Sequence, residues 1–574
     1  MTTQEPTANT QGRRLPDWLF PLACCCFVSM LTLLPFFWFG TASGHDFEFH
    51  AASWLDVAYQ WKQGVFSPRW TAWTNHGFGE PRFIFYPPLS WLFGALLTLL
   101  LPAKAVPLFY IVLTQSLAGL SAYLLLRRLA TRRGAALGAV CYTVNPNALL
   151  MIYIRSDFAE QLACALFPLL LLSALELCEL LENAPRTTRS IAAFAILYAG
   201  VWLSNAPAGV IASYAIAWLV AWATLTGRSW RIPVQAAVAI VLGLGLASFY
   251  LIPATYEQRW VNIQQALASG LAPWQNFLFT AIADVEHTWF NWIASICALC
   301  LIVIFALAAL FSRRFAAAGD KAKRRTQNRS VFVALLVVGT TATALMMRWA
   351  LPLWNYLPKL RFVQFPWRWM SIVALVGACF LAALAEKRRG WIAIALILAL
   401  TIPFAWFLVR NTWWDEDEMP TMVDAISSST GFEGTDEYDP VGDDHLDLPI
   451  QAPLTKLLPF DPVEGKTPEA RVQVLTWTTK DKEIRVESPQ PARLALRLLN
   501  YPAWRVTLNG KTIQPERTDD VNQMVIPIDA GHSDIRVEFT TTRDRKFGDG
   551  ISLVSALVAI FLLWDRRSLL GVNR

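Results

Sequence analysis

The sequence is poor in charged residues. Asp, Glu, Lys and Arg make up only 16% of its 574 residues, against roughly 25% in soluble domains. Hydrophobic residues reach 55%, and the mean hydropathy is +0.37. This balance excludes a soluble enzyme, a disordered chain and a fibre, because the surplus of apolar surface must face lipid.

Several common motifs are also missing. The chain has no nucleotide-binding glycine loop and no zinc-finger spacing. All nine cysteines lie in apolar stretches, so the polar segments contain no disulfide framework. The net charge of +6 comes from short basic clusters between apolar runs. Such clusters are typical of membrane topology signals rather than of nucleic-acid binding.

Apolar windows of spanning length recur along the chain. A hydrocarbon core of ~30 Å needs about 20 apolar residues per helix. Twelve windows read as spans: 18–40, 106–126, 134–152, 161–181, 190–204, 208–226, 232–252, 289–312, 330–351, 367–385, 390–410 and 549–565. A further run, Tyr86–Leu101, is shorter and bounded by prolines. The sequence therefore predicts an all-α polytopic membrane bundle with about 12–13 transmembrane helices.

The basic clusters predict the orientation of these spans. They lie at 127–133, 313–329, 387–389 and 566–567. If these clusters are cytoplasmic, then 41–85, 153–160, 253–288, 352–366 and 411–548 lie outside, and both termini are cytoplasmic. The number of spans must then be even, so Tyr86–Leu101 is interpreted as a re-entrant or interfacial helix. The alternative places the cluster at 127–133 outside. The first run follows Arg13-Arg14, but its length favours an uncleaved span over a signal peptide.

Three regions follow from this pattern. Residues 1–410 form the transmembrane bundle, with 41–85 as its first outer loop, and 549–574 form a last helix and a cytoplasmic tail. Residues 411–548 are hydrophilic. They begin with an acidic stretch and continue with alternating patterns, which predict strands at 471–478, 483–486, 493–499, 504–508, 524–528 and 535–540. Asn509-Gly510 predicts a type I′ hairpin. The expected fold of this outer domain is a small β-sandwich.

The first outer loop contains the clearest candidate for chemistry. Asp46 and Glu48 follow the first span closely and are flanked by His45 and His50. Such an acidic pair can deprotonate a hydroxyl or hold a divalent cation such as Mg²⁺ or Mn²⁺. Glu48 and His50 are the expected metal ligands, with His residues also available as proton carriers. The alternative is an ordinary solvated loop with Asp46 as a helix N-cap.

The same loop ends in a second charged pair, Glu80 and Arg82, within an aromatic stretch that is expected at headgroup depth. Glu80 is a candidate base or ligand, and Arg82 a candidate phosphate ligand. A structural ion pair is the alternative.

Two later segments also carry charge at the predicted outer face. The first holds Arg155, Asp157 and Glu160 between two spans. It is interpreted as a functional site or as a helix start with Ser156 as N-cap. The second holds Arg361, Gln364 and Arg368 among aromatic residues. It suits an anionic ligand or simple interfacial anchoring.

These residues also carry a family resemblance. The chain resembles the bacterial family labelled 6-pyruvoyl-tetrahydropterin synthase-related, membrane domain, and the neighbouring YfhO-like family. The matching segments are 44–50, 80–88, 155–160, 364–368, 431–438 and 501–506. A soluble pterin synthase cannot be built from these spans. Both families resemble the GT-C glycosyltransferases, which have a multi-span bundle and an acidic motif in the first outer loop. Asp46-Phe47-Glu48 is similar to the Asp-x-Glu form of that motif.

The resemblance implies a glycosyltransferase in the bacterial cytoplasmic membrane that uses a polyprenyl-phosphate-linked sugar donor at the outer face. Its acceptor would be a glycan, lipid or protein of the cell envelope. Asp46 is the expected base, and Arg155, Arg361 and Arg368 are the expected phosphate ligands. Two other hypotheses stay open. A transporter or flippase predicts charges within spans and broken helices. A non-catalytic envelope scaffold predicts that the carboxylates of the first loop are dispensable.

Overall fold

The computed structural model describes residues 16–181, 188–312, 322–385, 390–442, 448–461, 469–518 and 521–564. Its helices are α1 (Leu19–Leu31), α2 (Phe36–Phe39), α3 (Phe47–Lys62), α4 (Arg82–Phe85), α5 (Pro88–Leu100), α6 (Val106–Leu126), α7 (Arg132–Thr143), α8 (Pro146–Leu150), α9 (Phe158–Leu177), α10 (Thr188–Ser204), α11 (Ala206–Gly227), α12 (Arg231–Leu246), α13 (Ser248–Glu257), α14 (Val285–Ser312), α15 (Ala322–Leu345), α16 (Leu351–Tyr356), α17 (Met370–Leu384), α18 (Gly390–Asn411), α19 (Glu418–Ser427) and α20 (Arg543–Trp564).

The strands form three sheets. They are β1 (Thr41–Ala42), β2 (Trp414–Asp415), β3 (Thr455–Pro459), β4 (Arg471–Trp477), β5 (Asp481–Ser488), β6 (Ala492–Leu499), β7 (Trp504–Leu508), β8 (Lys511–Ile513), β9 (Glu516–Arg517), β10 (Gln523–Ile528) and β11 (Gly531–Phe539). The pair β1-β2 stands alone. The other two sheets have the antiparallel orders β3-β6-β10-β9 and β4-β5-β11-β7-β8.

The predicted fold class, a helical membrane bundle with a separate β-domain, is confirmed. The two larger sheets share one apolar core, as expected of a sandwich. Asn509 and Gly510 both have positive φ, 48° and 79°, and they join β7 to β8 in a two-residue turn. This is the predicted hairpin. Trp70 and Phe78, from the first outer loop, are buried in the same core as the sandwich, so loop and domain pack as one unit.

The described residues contain fewer candidate spans than the twelve or thirteen predicted for the whole chain, although the window at 390–410 forms the 22-residue apolar helix α18. Within the residues the structure covers, eight helical stretches are long and apolar enough to cross a membrane, and two bent pairs raise the number to ten. The bends measure 74° after α12 and 92° after α15, and a hydropathy window does not detect them. The window at 190–204 forms α10, which has only 17 residues. Helix α5 has 13 residues, about 20 Å, which is too short for a ~30 Å core.

The backbone next to the first bend is bonded outside its own helix. Pro253 lies inside α13 and cannot donate a backbone hydrogen bond to the carbonyl of Phe249. That carbonyl instead accepts a hydrogen bond from Arg69 Nη2 at 3.4 Å, while the amide of Phe249 donates to Ser552 Oγ at 2.8 Å. The freed backbone groups of the bent span therefore contact the first outer loop and the last helix.

The segments predicted to be outside gather at one end of the bundle. Strand β1 of the first loop pairs with β2 near the start of the second hydrophilic region, and Val261 forms a bridge with Pro440. Gln364 Nε2 donates to the carbonyl oxygen of Ala266 at 2.8 Å. Of the basic clusters that predicted the orientation, 387–389, 566–567 and most of 313–329 lie outside the described residues, as does Arg13-Arg14.

Candidate functional site

The turn before α3 is tied to the turn before α9. The Asp46 amide donates to the Arg155 carbonyl oxygen at 2.8 Å. Gly44 lies against the backbone of Ile154 and Arg155, so closely that a Cβ atom would collide with it. Ser156 has a φ of 52°, and its Oγ accepts a hydrogen bond from the Gly44 amide at 3.0 Å. These contacts hold Asp46 beside Arg155, although the two are far apart in sequence.

Arg155 ends a π-helical turn, Met151–Arg155, of a kind often found at functional sites. Its guanidinium faces three carboxylates: it pairs with Asp157, with Glu160 at 2.6 Å and with Asp46 Oδ2 at 3.2 Å. Arg368 approaches the same acids, with Nε 3.2 Å from Glu160 and Nη2 3.7 Å from Asp157. We call these five residues the Asp46 cluster. Its three carboxylates face two guanidinium groups, so acid is in excess.

Burial separates the three acids of the Asp46 cluster. Asp157 and Glu160 are each 2% exposed, whereas the Asp46 side chain is 39% exposed. Burial opposes ionisation of Asp157, but the charge of Arg155 outweighs it, helped by His50 and Arg368, and holds the pKa of Asp157 well below its usual range. Asp46 is therefore the carboxylate of this cluster that solvent or a substrate can reach.

Asp46 and Asp157 both stand at helix N-cap positions, but only Asp157 caps its helix. Asp46 occupies the N-cap position of α3, but its side chain makes no capping bond there and turns to Arg155 instead. Asp157, rather than Ser156, caps α9 by accepting a hydrogen bond from the Glu160 amide at 2.8 Å. The Arg155–Glu160 segment is thus both a helix start and part of a charged cluster.

The expected metal ligands do not come together. Glu48 and His50 both lie on α3, two residues apart, so their side chains point about 200° apart around the helix axis. His50 is buried, with Nε2 3.7 Å from Asp157 Oδ1, whereas Glu48 is exposed. Desolvation and the neighbouring Glu433 raise the pKa of Glu48. No group of three or more His, Cys, Asp or Glu in the described part of the chain can hold a metal ion. These residues do not fit the divalent cation expected from the sequence.

Aromatic rings line one side of the Asp46 cluster. His45 packs on Phe290 with ring centroids 4.7 Å apart, Phe290 packs on Trp367 at 5.5 Å, and Trp367 stacks on Phe365 at 4.9 Å. The guanidinium of Arg155 lies 4.9 Å from the Trp367 ring centre. A row of rings beside an accessible carboxylate offers apolar faces and a single polar group, as small-molecule sites commonly do.

Glu80 and Arg82 form a buried pair with a different set of partners. Arg82 Nε donates to Glu80 Oε1 at 2.6 Å, and Glu80 Oε2 accepts from the Thr435 amide at 2.9 Å. Arg82 Nη2 also donates to Thr435 Oγ1 at 3.0 Å and stacks on Phe49. Both groups hold the Gly431–Tyr438 segment against the first loop. Their geometry is that of the structural ion pair that the sequence left open.

The three arginines expected to share one phosphate pocket do not all meet. Arg155 and Arg368 converge, but on carboxylates. Arg361 lies in an exposed turn and has no ion pair among the residues described. Gln364, at a φ of 64°, turns the chain between Arg361 and Arg368. Its amide donates to Ala266, and its oxygen accepts from Arg368 at 3.4 Å, so both ends of Gln364 are already bonded.

The structure also contains a charged cluster that sequence reasoning missed. Glu257, at the end of α13, binds Arg545 of α20 through two hydrogen bonds of 2.7 Å. The Tyr501 hydroxyl of the β-domain donates to Glu257 Oε2 at 2.6 Å, and Glu257 is fully buried. We call these three residues the Glu257 junction. In the sequence, Glu257 stands with Arg259, Glu286 and His287 as a weak set of ionisable residues in the segment predicted to lie outside, and nothing pointed to Arg545.

Comparison with known proteins places the chain among membrane proteins. A family model described as "6-pyruvoyl-tetrahydropterin synthase related domain; membrane protein" matches residues 83–414. The match begins after Asp46 and includes Arg155, Asp157, Glu160 and Arg368. No curated protein matches the chain in sequence.

Three solved structures are similar in fold. The arabinofuranosyltransferase AftD from Mycobacteria is 18% identical, with 68% of this chain and 26% of AftD covered and a TM-score of 0.40. ArnT from Cupriavidus metallidurans, bound to undecaprenyl phosphate, is 12% identical, with coverages of 64% and 78% and a TM-score of 0.31. The oligosaccharyltransferase AglB from Archaeoglobus fulgidus, with an inhibitory peptide and a dolichol-phosphate, is 15% identical, with coverages of 73% and 56% and a TM-score of 0.35. The chain thus spans about a quarter of the length of AftD.

Proposed function

The chain belongs to the 6-pyruvoyl-tetrahydropterin synthase related membrane protein family, and we propose that it is a membrane glycosyltransferase whose active site is the Asp46 cluster. The observation that carries this proposal is the exposure of the Asp46 carboxylate together with the contacts that hold it in place. Its carboxylate is partly exposed, one oxygen is held by a buried guanidinium, and aromatic rings stand beside it. A general base needs this combination of fixed position and access.

The reaction follows from that arrangement. Asp46 takes the proton of an acceptor hydroxyl while the hydroxyl oxygen attacks the anomeric carbon of the donor sugar. The new bond joins that oxygen to the anomeric carbon, and the bond from this carbon to the phosphate oxygen breaks. The electron pair leaves with the lipid phosphate, and the configuration inverts. Because acid is in excess over guanidinium in the cluster, a proton on Asp46 removes the surplus negative charge.

The donor in this proposal is a polyprenyl-phosphate sugar, and the acceptor is a glycan, lipid or protein. Arg155 and Arg368 already neutralise Asp157 and Glu160, so they position the base rather than offering free charge. Arg361 is the exposed cation of the predicted phosphate set and is proposed to meet the lipid phosphate. The aromatic row from His45 to Phe365 would lie along the sugar. No step requires a metal ion.

The proposed location is the outer face of the bacterial cytoplasmic membrane. The first loop contacts both the Arg155 turn and the β-domain at one end of the bundle. They must therefore share a compartment, and the charge rule assigns it to the outside. Reporter fusions within 420–440 should read as periplasmic or extracellular, and a cytoplasmic signal there would contradict this location.

The activity is tested with Asp46→Asn, which keeps the shape of the side chain and removes its charge. Undecaprenyl-phosphate and dolichol-phosphate sugars serve as donors, with the purified protein in membranes and labelled transfer as the readout. We expect Asp46→Asn to lower the rate by about 10²–10⁴-fold. The matched control is Asp417→Asn, an exposed acid that pairs with Lys104 and should leave the rate unchanged. Transfer by Asp46→Asn at the wild-type rate would reject Asp46 as the base.

A transporter is the second candidate, favoured by one observation. Two spans are sharply bent, and buried ionisable residues lie at the span ends near Asp46, as expected of substrate or proton pathways. Lipid-linked sugar that crosses sealed vesicles without forming a new glycosidic bond would support this candidate and contradict the transferase.

A further inference from the structure

A cleft separates the far end of α3 from the β-domain. It encloses about 450 Å³ of space that is open to solvent. Tyr59 and Gln63 of the first loop form one wall, and Trp477, Lys482 and Arg497 of the sandwich form the other. Helix α3 has 16 residues, or about 24 Å, with Asp46 before its first residue and Gln63 after its last. The cleft is thus distinct from the Asp46 cluster.

The charged side chains that line the cleft are all positive. Lys482 and Arg497 line it, and no carboxylate does so among the described residues. Lys482 is 3% exposed, and its ammonium donates to the carbonyl oxygens of Thr478 and Thr479 at 3.0 and 3.4 Å. It forms no ion pair in the described part of the chain. Burial lowers the pKa of Lys482 to about 7, although the charge of the neighbouring Asp481 opposes that shift.

The cleft also contains buried hydrogen-bond donors that have no acceptor among the described residues. Arg497 Nε and Trp73 Nε1 are buried nitrogen atoms without an acceptor in the structure, and both residues line the cleft. Buried donors normally find partners. The lining combines unsatisfied donors and two cations with the rings of Tyr59, Trp73 and Trp477. A ligand that matches this lining presents acceptors and negative charge on a ring with apolar faces.

We propose that this cleft binds an anionic saccharide unit, carboxylated or phosphorylated, through Lys482 and Arg497, with Trp73 and Trp477 packed against its ring. The anion would add a negative charge beside the Lys482 ammonium, which otherwise contacts two carbonyl oxygens and the rings of Trp477 and Trp504. The sugar hydroxyls would accept from Arg497 Nε and Trp73 Nε1. The proposal concerns binding alone and does not require glycosyl transfer at Asp46.

The test uses the purified full-length protein in detergent micelles. Titrations follow tryptophan fluorescence and heat with three probes: a galacturonic acid tetrasaccharide, mannose 6-phosphate and neutral maltotetraose. We expect an anionic probe to bind at least 10-fold more tightly than maltotetraose. Lys482→Met and Arg497→Met should each weaken that binding by about 10-fold or more, because each removes a charge-assisted hydrogen bond.

Two controls separate this site from other causes. Arg493 lies four residues before Arg497 on β6 and pairs with Glu516 outside the cleft. The variant Arg493→Met should therefore bind the anionic probe as tightly as the wild type. Asp46→Asn should also bind normally while losing transfer, which distinguishes the cleft from the proposed active site. Binding of mannose 6-phosphate alone supports a phosphorylated ligand. Equal binding of maltotetraose, no binding of either anion, or wild-type affinity in both cleft variants with unchanged melting temperature would overturn the proposal.

Discussion

The Asp46 cluster and the Glu257 junction are both groups of mostly buried ionisable side chains, but they differ in the number of acids and cations that they bring together. In the Glu257 junction one carboxylate meets one guanidinium, and the hydroxyls of Tyr501 and the nearby Thr542 also donate to it, so both of its oxygens accept hydrogen bonds. In the Asp46 cluster three acids meet two guanidinium groups, one acid is partly exposed, and Glu160 Oε1 has no partner.

This difference separates a structural role from a functional one. A balanced, fully bonded ion pair fixes its neighbours and leaves no group to react. An unbalanced cluster keeps an accessible group and holds charge that a substrate or a proton can compensate. Two predictions test the contrast, and a third concerns a buried acid outside both groups; they are given in order of expected effect.

Arg155→Met should have the largest effect, because it removes the cation that faces Asp46, Asp157 and Glu160. We expect transfer to fall by at least about 10²-fold and the free energy of unfolding to fall by about 3–5 kcal/mol. Unfolding by SDS in mixed micelles and labelled transfer measure the two effects. Adding Glu160→Gln should restore most of the stability but not the transfer. Recovery of transfer in the double variant would mean that the cluster is only structural.

Arg545→Met should affect stability alone. It leaves Glu257 buried without its cation, at a cost of about 3–5 kcal/mol in the free energy of unfolding. Once refolded in micelles, the variant should still transfer sugar at close to the wild-type rate. Glu257→Gln added to Arg545→Met should recover most of the loss, because no uncompensated charge then remains. A rate that falls as far as in Arg155→Met would remove the distinction between the two clusters.

The smallest expected effect is a loss of stability of the Gly431–Tyr438 segment as the pH rises. Burial, with Glu80 and Asp436 nearby, raises the pKa of Glu437 from 4.5 to about 7, and Arg82 opposes that shift. The folded state therefore holds a proton that the unfolded segment releases. The resulting stability is complete below about pH 4.5 and is lost as the pH rises through 7.

Hydrogen exchange measures this loss. Between pH 6 and 8, local opening of the segment should increase about 10-fold beyond the chemical exchange rate. Glu437→Gln should abolish the increase, whereas Glu433→Gln, at an exposed neighbour, should leave it. An unchanged pH dependence in Glu437→Gln would assign the effect to another group.

Local patterns predicted much of the fold. Strands β4 to β7, β10 and β11 lie close to their predicted bounds, because alternation and turn residues are local signals. The bends after α12 and α15 escaped a hydropathy window, since an apolar helix and a bent apolar helix have the same composition.

The sequence predicted which residues belong to the candidate site, but it did not predict which of them contact one another. Asp46, Arg155 and Arg368 were all singled out in the sequence, yet their pairing depends on three distant turns that meet in space. The sequence presented Asp46 and Glu48 as one pair, but α3 begins between them and turns Glu48 away. Lys482 and Arg545 carry no local signal, because their roles come only from burial and from residues far along the chain.

The short pairing of β1 with β2 has a mechanical consequence. Ala42 is bonded in register to Trp414, and the Ser43 amide donates to the Trp413 carbonyl oxygen at 2.9 Å. Asp46 follows three residues after Ser43, while α19 and the acidic stretch follow directly after β2. A displacement of the second hydrophilic region would therefore pull on the backbone of the proposed base. The β1-β2 ladder thus couples the position of the second hydrophilic region to the position of the Asp46 carboxylate.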